Sequence, residues 1–348
     1  MAVRDAAGID QNFAAQAVLR EGMAYYDAED FDVYGVKRLD GVYRRMRYED
    51  ALAIGEKVAM ISSECAGGRV RFATDSPTVA ICVEYRSVSK VPNYSHTATM
   101  GFDLYAGSRY VGCFVPPMEA ERTLEGVMEV AEKPSMTEYT LNFPICSEVS
   151  RLYIGVKEGC TIGKASGYSI KKPVVFYGSS ITQGACASRP GNTYENRISR
   201  ALDCDYLNLG FWGNARGEKE LAEYVAGLEM SAFVYDYDYN TPSVEHLQAT
   251  HERMFQIVRQ RNPQLPIVIV SAPKYAWNST FEQRLSIIRQ TYQNAVAAGD
   301  RHVRFLSGNE MLKGIKDVAF ADNVHPGDSG FLRMAKYIGE ALKELMER

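Results

Sequence analysis

The chain has 348 residues, 46% hydrophobic and 24% charged, with 39 Lys and Arg against 43 Asp and Glu for a formal net charge of −4. These proportions exclude a disordered, collagen-like or solenoid chain, and the mild acidity without a basic run excludes a general nucleic-acid surface. No stretch approaches the roughly 18 apolar residues of a membrane span. The N-terminal MAVRDAAGIDQNFAAQAV carries charges where a secretory signal would place its apolar block, so a cytoplasmic protein is expected. The seven cysteines, Cys65, Cys82, Cys113, Cys146, Cys160, Cys186 and Cys204, form no CxxC pair and no zinc-type spacing, which reads as reduced thiols that pack.

The length suits about two domains, and the hydrophobic period changes along the chain. Up to residue 67 the pattern is ambiguous, since FDVYGVKRLDGVYRRM reads as short strands or as loop. From 68 to 157 apolar residues alternate: Val70 and Phe72; Val79, Ile81 and Val83; Tyr139, Leu141 and Phe143; Leu152, Ile154 and Val156. Short strands at such spacing, with no convincing long helix between them, predict an antiparallel sandwich. The segment GKASGYSIKKP has linker-like composition and places the boundary near residue 170, giving an all-β domain over 1–170 and a second domain over 171–348.

In the second domain apolar strands alternate with amphipathic helices, the pattern of an α/β fold with a parallel sheet covered on both faces. The predicted strands are Val174 to Tyr177, Tyr206 to Leu209, Phe233 to Tyr235, Ile267 to Val270 and Val303 to Leu306. Thr241 and Pro242 read as the cap and first-turn proline of a helix whose apolar face holds Val244, Leu247, Met254 and Val258. His246 and His251 are assigned to the polar face of that helix, and a closing helix runs through Phe331, Met334, Ala335, Ile338, Leu342 and Leu345.

The first of these strands runs into Gly178, Ser179, Ser180, Ile181, Thr182, Gln183 and Gly184. A serine just past the carboxyl end of a parallel strand lies on the edge where open α/β sheets bind ligands. A helix beginning soon after Gly184 would aim its N-terminal amides at developing negative charge. Taken alone, the segment is equally an ordinary Ser/Gly turn, because a hydroxyl needs a base. Of the five histidines, His325 stands apart in ADNVHPGDSGF, where Asp322 can turn back to accept the Nδ1 proton and leave Nε2 for a serine hydroxyl. An isolated Asp-x-x-His would also suit a capped surface loop, so the pairing with the serine turn carries the reading. Cys186, six residues beyond Ser180, is the one thiol near that turn, and packing is its expected role.

The segments YGSSITQG, NLGFWGNAR, DYDYN and DNVHP occur in the order of the four sequence blocks of the SGNH (GDSL-like) hydrolase superfamily. The resemblance spans about residues 171 to 348, and GFDLY at Gly101 to Tyr105 resembles the marker of a subgroup with an N-terminal β-sandwich. It implies a flavodoxin-like three-layer α/β hydrolase domain behind a jelly-roll-like sandwich. It also implies Ser180 as nucleophile, His325 and Asp322 as its partners, and an oxyanion hole made by the Ser180 and Gly213 backbone N–H groups with the Asn240 amide. Neither metal nor organic cofactor is required by that mechanism. Two positions depart from the family pattern: Ser179 stands where Asp is usual before the serine, and Asp238, Tyr239, Asn240, Thr241 replaces Gly-x-Asn-Asp. Asp103 of GFDLY is expected to bond a nearby turn while Leu104 and Tyr105 pack inward.

The implied activity is hydrolysis of short acyl esters, acetyl foremost, on a small-molecule or oligosaccharide substrate, with Trp277 and Trp212 as candidate sugar-stacking residues. A general short-chain esterase or thioesterase would use the same residues. A lysophospholipase-like enzyme would need an apolar acyl channel or lid, for which no segment is evident. A catalytically dead carbohydrate-binding protein would show a broken triad, whereas Ser180, Asp322 and His325 are all present.

Overall fold

The computed structural model describes residues 18–20, 22–276 and 278–347. The alternating segments of the first half form two antiparallel sheets. One orders Val18–Arg20, Met23–Asp27, Glu148–Lys157, Thr78–Ser87 and Thr123–Glu129. The other orders Ile162–Lys164, Arg69–Thr74, Thr137–Asn142, Phe102–Ala106 and Arg109–Phe114, with Asp32–Tyr34 also paired to Arg69–Thr74. Register keeps apolar residues opposite one another: Val79, Ile81 and Val83 face Val156, Ile154 and Leu152, and Val70 and Phe72 face Leu141 and Tyr139. The two inner faces share one buried core that also takes in Phe102 and Leu104, so the arrangement is a sandwich. Phe143 lies one residue past its strand and is buried in the same core.

The ambiguous segment before residue 68 resolves into the short strands Asp32–Tyr34, Lys37–Leu39 and Val42–Arg44, followed by two helices, Tyr48–Ile54 and Glu56–Ile61. These helices are too short to display a clear period. Their buried residues Ala51, Val58, Ala59 and Ile61, with Met46, join the core on one face of the parallel sheet together with Val175, Leu209 and Phe233.

All five predicted parallel strands form, as Ile170–Gly178, Cys204–Gly210, Ala232–Asp236, Ile267–Ser271 and Val303–Ser307. Their spatial order is second, first, third, fourth, fifth, the flavodoxin-like order. Both faces are covered. Val175, Tyr177, Phe233 and Tyr235 enter one core, while Val174, Phe176, Val234 and Val268 enter the other, which explains why these strands read as unbroken apolar runs. The closing helix spans Asp328–Met346 and buries all six of its predicted face residues in the second core. Among the described residues no helix is long and apolar enough to cross a membrane.

Three local expectations are corrected. The helix after the third strand starts at Val244 with Ser243 as its cap, whose hydroxyl accepts from His246 N. Thr241 is occupied elsewhere, donating to Asp238 O at 2.8 Å, so Thr241 and Pro242 belong to the preceding loop. His251 is not on a polar face: it is fully buried, stacks on Tyr235 and bonds Thr291 Oγ1, and burial pushes it down to about 3. Finally, the helix at the serine turn does not follow Gly184 but precedes it, over Ser180–Gln183. Ser179 caps it, and Gly184 stops it in the left-handed region at φ 105° that glycine adopts without strain.

Buried polar groups tie the two halves together. The fully buried Arg69 donates to Gly67 O, Tyr168 Oη and Tyr206 O, pairs with Asp205, and lies 3.9 Å from the centre of the Tyr206 ring. Asp103 of GFDLY, also fully buried, accepts from Asn142 Nδ2 and Gly191 N at 2.8 Å each and faces Arg189 Nε at 3.3 Å. The turn it bonds is therefore in the other half of the molecule, and Leu104 packs inward as the alternation requires.

Candidate active site

The first parallel strand delivers Ser180 to the carboxyl edge of the sheet, beside the strands that follow and precede it in space. Ser180 opens the one-turn helix, whose first amide beyond it, Ile181 N, is taken by the Ser179 hydroxyl at 3.2 Å. That bond gives Ser179 a capping function at the position where the family pattern has Asp.

His325 and Asp322 lie in the loop before the closing helix, and local bonding fixes the shape of that loop. Phe320 and Pro326 form an antiparallel bridge, Ala321 N donates to His325 O at 2.9 Å, and Gly327 N donates to Ala319 O at 2.8 Å. Asp322 Oδ1 accepts the backbone N–H groups of Val324 and His325 at 2.7 and 2.6 Å, an Asx turn closed by its own side chain. Asp322 Oδ2 then meets His325 Nδ1 at 2.8 Å, and His325 Nε2 meets Ser180 Oγ at 2.9 Å. The structure thus brings together Ser180, His325 and Asp322 from the two ends of the second half. Partial burial raises the Asp322 carboxyl, but the bonds from His325, Val324 and Asn93 outweigh it and hold the group well below the usual carboxylate range. Such a chain of bonds can carry a serine proton to an imidazole that faces a carboxylate.

Gly213 and Asn240 lie just beyond the second and third parallel strands, the two neighbours of the strand that leads into Ser180. Gly213 is exposed at φ 69°, and a Cβ there would meet open space, so the need for glycine is conformational. Asn240 Oδ1 accepts from Ala215 N at 3.4 Å. The departure at Asp238 has a partner: Lys274, 2% exposed, places Nζ 3.6 Å from Asp238 Oδ1 and 3.3 Å from the centre of the Tyr239 ring. Arg284 adds bonds to Asp238 O at 2.6 Å and Thr241 O at 2.9 Å, so the loop carrying Asn240 is gripped from two sides.

Residues of the sandwich half also reach the site, which no local pattern revealed. Asn93 Nδ2 donates to Asp322 Oδ2 at 2.6 Å, and the neighbouring Tyr94 ring meets the His325 ring edge-on at 5.7 Å. Glu64 accepts from Trp212 Nε1 at 2.9 Å and from the Gln183 amide. Burial pushes Glu64 up to about 7, against the opposing pull of Arg45 and these two bonds. Trp212 is 44% exposed beside Gly213, while Trp277 lies outside the described residues.

Cys186 packs under the site, donating to Asn93 O at 3.3 Å and lying 3.8 Å from Asp322 Oδ2. The metal-ligating atoms of Cys186, Asp322 and His325 fall within 4.8 Å of one another. Burial, with Asp322 adding to it, pushes the Cys186 thiol up to about 12, so the trio is a hydrogen-bonded acid–base set with a protonated sulfur.

Residues 171–343 match the model of the GDSL-like lipase/acylhydrolase family, and residues 23–162 match the GxDLY model, the N-terminus of SGNH-hydrolase-type esterases. A crystal structure from Bacteroides ovatus, assigned as a GDSL-like lipase, superposes with a TM-score of 0.84 at 27% identity, covering 93% of this chain and 98% of its own. A salicylyl-acyltransferase from a tetracycline biosynthetic pathway gives 0.73 at 19% identity, covering 94% and 96%. A family two carbohydrate esterase from Clostridium thermocellum, in complex with cellohexaose, gives 0.62 at 13% identity, covering 81% and 93%. None of the curated proteins compared with the chain matches it in sequence.

Proposed function

The chain belongs to the GDSL-like lipase/acylhydrolase family of SGNH-type ester hydrolases, and we propose that it removes short acyl groups, acetyl foremost, from carbohydrate hydroxyls through an acyl-serine intermediate. The observation that carries this reading is the bonded series Ser180 Oγ, His325 Nε2, His325 Nδ1, Asp322 Oδ2, with steps of 2.9 and 2.8 Å, at the carboxyl edge of the parallel sheet.

Ser180 Oγ attacks the ester carbonyl carbon as His325 Nε2 takes the hydroxyl proton, and Asp322 faces the imidazolium that forms. The tetrahedral oxyanion is received by the backbone N–H groups of Ser180 and Gly213 and the Asn240 amide. Collapse breaks the bond to the sugar oxygen, which leaves with the proton from His325. Water then gives a proton to His325 and attacks the acyl-serine, and the acid departs as Ser180 Oγ regains its proton. A lost donor in such an oxyanion site costs roughly 10² to 10³ in turnover.

The carbohydrate part of the reading is supported by the neighbours: one carbohydrate esterase was solved with cellohexaose, and another neighbour is an acetyl xylan esterase from Butyrivibrio proteoclasticus. The exposed indole of Trp212 beside Gly213 offers a face on which a sugar ring could stack. The test is a time course of acetate release from a mixture of acetylated oligosaccharides by the wild type and Ser180→Ala. Release by the wild type alone is expected. Undiminished release by Ser180→Ala overturns the mechanism, and equal or better turnover of long-chain lipid esters overturns the substrate class.

A further inference from the structure

We propose that Glu64, a residue of the N-terminal half, is a positioning residue for the oxyanion loop, holding Trp212 so that the Gly213 N–H faces the reacting carbonyl. This inference rests on the assignment of Gly213 as an oxyanion donor made above.

The loop tip has little to hold it by itself. Gly213 is exposed, and the turn there is closed by Asn214 N on Phe211 O at 2.9 Å and by Asn214 Nδ2 on Trp212 O at 2.8 Å. These bonds lie within the turn and do not fix its direction. The buried Phe211 and Ala215 seat the two ends of the turn, Phe211 N donating to Gly178 O at 2.9 Å, and Trp212 connects its tip to buried structure. Its backbone N–H donates to Gln183 Oε1 at 3.2 Å, and its indole N–H donates to Glu64 Oε2 at 2.9 Å. Gln183 is held in turn, its Nε2 bonded to the same Glu64 oxygen and to Ile145 O at 3.1 Å. Glu64 therefore grips Trp212 twice, directly through the indole and indirectly through the amide that receives the backbone. Gln183 ends the one-turn helix that begins with Ser180, so the same carboxyl group also links the serine turn to the glycine loop.

The anchor is rigid. Glu64 is 8% exposed and Gln183 2% exposed. Arg45, 4% exposed, lies beside them and donates to Asn208 O at 3.2 Å, Gly210 O at 2.6 Å and Ile61 O at 2.7 Å, with its guanidinium 5.0 Å from the centre of the Phe211 ring. The end of the second strand, Phe211 and Trp212 are thus seated on the segment from Arg45 to Glu64. A bond to a buried, multiply held carboxyl group resists the side-chain motion that would let the loop drift, and a displacement of about 1 Å at such a donor can cost on the order of 10²-fold in rate.

The experiment compares Glu64→Gln, Trp212→Phe and Ser180→Ala with wild type on p-nitrophenyl acetate and measures inhibition by a small boronic acid, whose serine adduct presents a tetrahedral oxyanion. Trp212→Phe keeps an aromatic ring while removing the indole donor, so it tests the contact even if Glu64→Gln fails to fold. The expected result is a kcat lowered roughly 3- to 30-fold with KM within about twofold, and a boronate Ki raised in proportion to the fall in kcat. Unchanged kcat and Ki in Trp212→Phe, or a rise in KM alone, overturns the role of Glu64 while Ser180→Ala stays inactive. An active Ser180→Ala instead overturns the serine mechanism itself.

Discussion

Asn93 and His325 share one oxygen. Both donate to Asp322 Oδ2, Asn93 at 2.6 Å from the sandwich half and His325 at 2.8 Å from within the loop, while Oδ1 takes two backbone amides. Cys186 Sγ adds a longer contact to Oδ2 at 3.8 Å, so the carboxylate is fully engaged, and its Asn93 donor comes from the loop after Thr78–Ser87. Asn93→Ala removes that donor without touching the imidazole, so kcat/KM should fall about 3- to 10-fold, the worth of one hydrogen bond to a partly exposed charge. Asn93→Asp keeps the shape and places a second carboxylate against Oδ2, so its loss at neutral pH should be larger still. Steady-state kinetics on a soluble acetate ester decide it, and an Asn93→Asp enzyme as fast as wild type would contradict the arrangement.

The same bonds set a pH behaviour. A carboxyl held below its ordinary range contributes stability that is present above the unfolded value of about 4 and is lost only as the pH falls below it. Asp322 should therefore stay ionised from pH 5 to 9, and no limb of the activity profile in that window should belong to it. Asp322→Asn is expected to lower kcat by roughly 10³ to 10⁴ at every pH in the window, because an amide no longer balances the imidazolium or fixes its tautomer. A variant within tenfold of wild type would remove Asp322 from the mechanism.

The strands are legible as apolar runs flanked by glycine, whereas Ser180, Asp322 and His325 are ambiguous one at a time and are legible only through their pairing and the order of the four sequence blocks. Asn93 and Glu64 are not legible, since their partners lie 229 and 148 positions away and neither has a local signature. The helices at 48–61 escaped for a related reason, because two turns show no period and their apolar residues are explained only by the parallel sheet they cover. His251 defies its pattern because a polar side chain in an amphipathic helix suits the wet face, whereas Thr291 and two tyrosine rings give it a dry one. The GFDLY aspartate bonds a turn in the other half, a partner that the segment's own residues do not show.

That aspartate supports a stability prediction. Asp103→Ala would leave Arg189 without its carboxylate and Gly191 N and the Asn142 amide without an acceptor, all at a buried junction. Breaking a buried pair on one side typically costs about 3–5 kcal/mol, and denaturant titration should show a loss of that order. A loss under about 1 kcal/mol would mean that the junction is held elsewhere, with Arg69 and Asp205 the next to test.

Asn240 depends on a loop whose charge is balanced internally. Asn240→Ala should lower kcat by roughly 10² to 10³ with an unchanged melting temperature, since among the described residues the amide makes only a 3.4 Å contact to Ala215 N. Lys274→Met should act differently, destabilising the protein because it leaves the Asp238 carboxylate, 2% exposed, without its cation. Thermal melts beside kinetics separate the two, and a melting temperature that drops equally in both variants would assign Asn240 to structure instead of chemistry.

Asp236, at the end of the third parallel strand, gives the opposite pH sign from Asp322. Burial and the neighbouring Asp238 push it up to about 7, with Lys274, Thr182 and Tyr194 pulling the other way. The folded protein therefore holds this proton more tightly than the unfolded chain, so its contribution to stability is full below about pH 4 and declines as the pH rises toward 7. Asp236→Asn keeps the size and an acceptor for Thr182 Oγ1, which lies 3.4 Å away, but carries no titrating charge. The melting temperature of the variant should match wild type near pH 4.5 and exceed it progressively up to pH 8. A difference that is flat across this range, or that shrinks as the pH rises, would show that Asp236 is ionised throughout and held by Lys274.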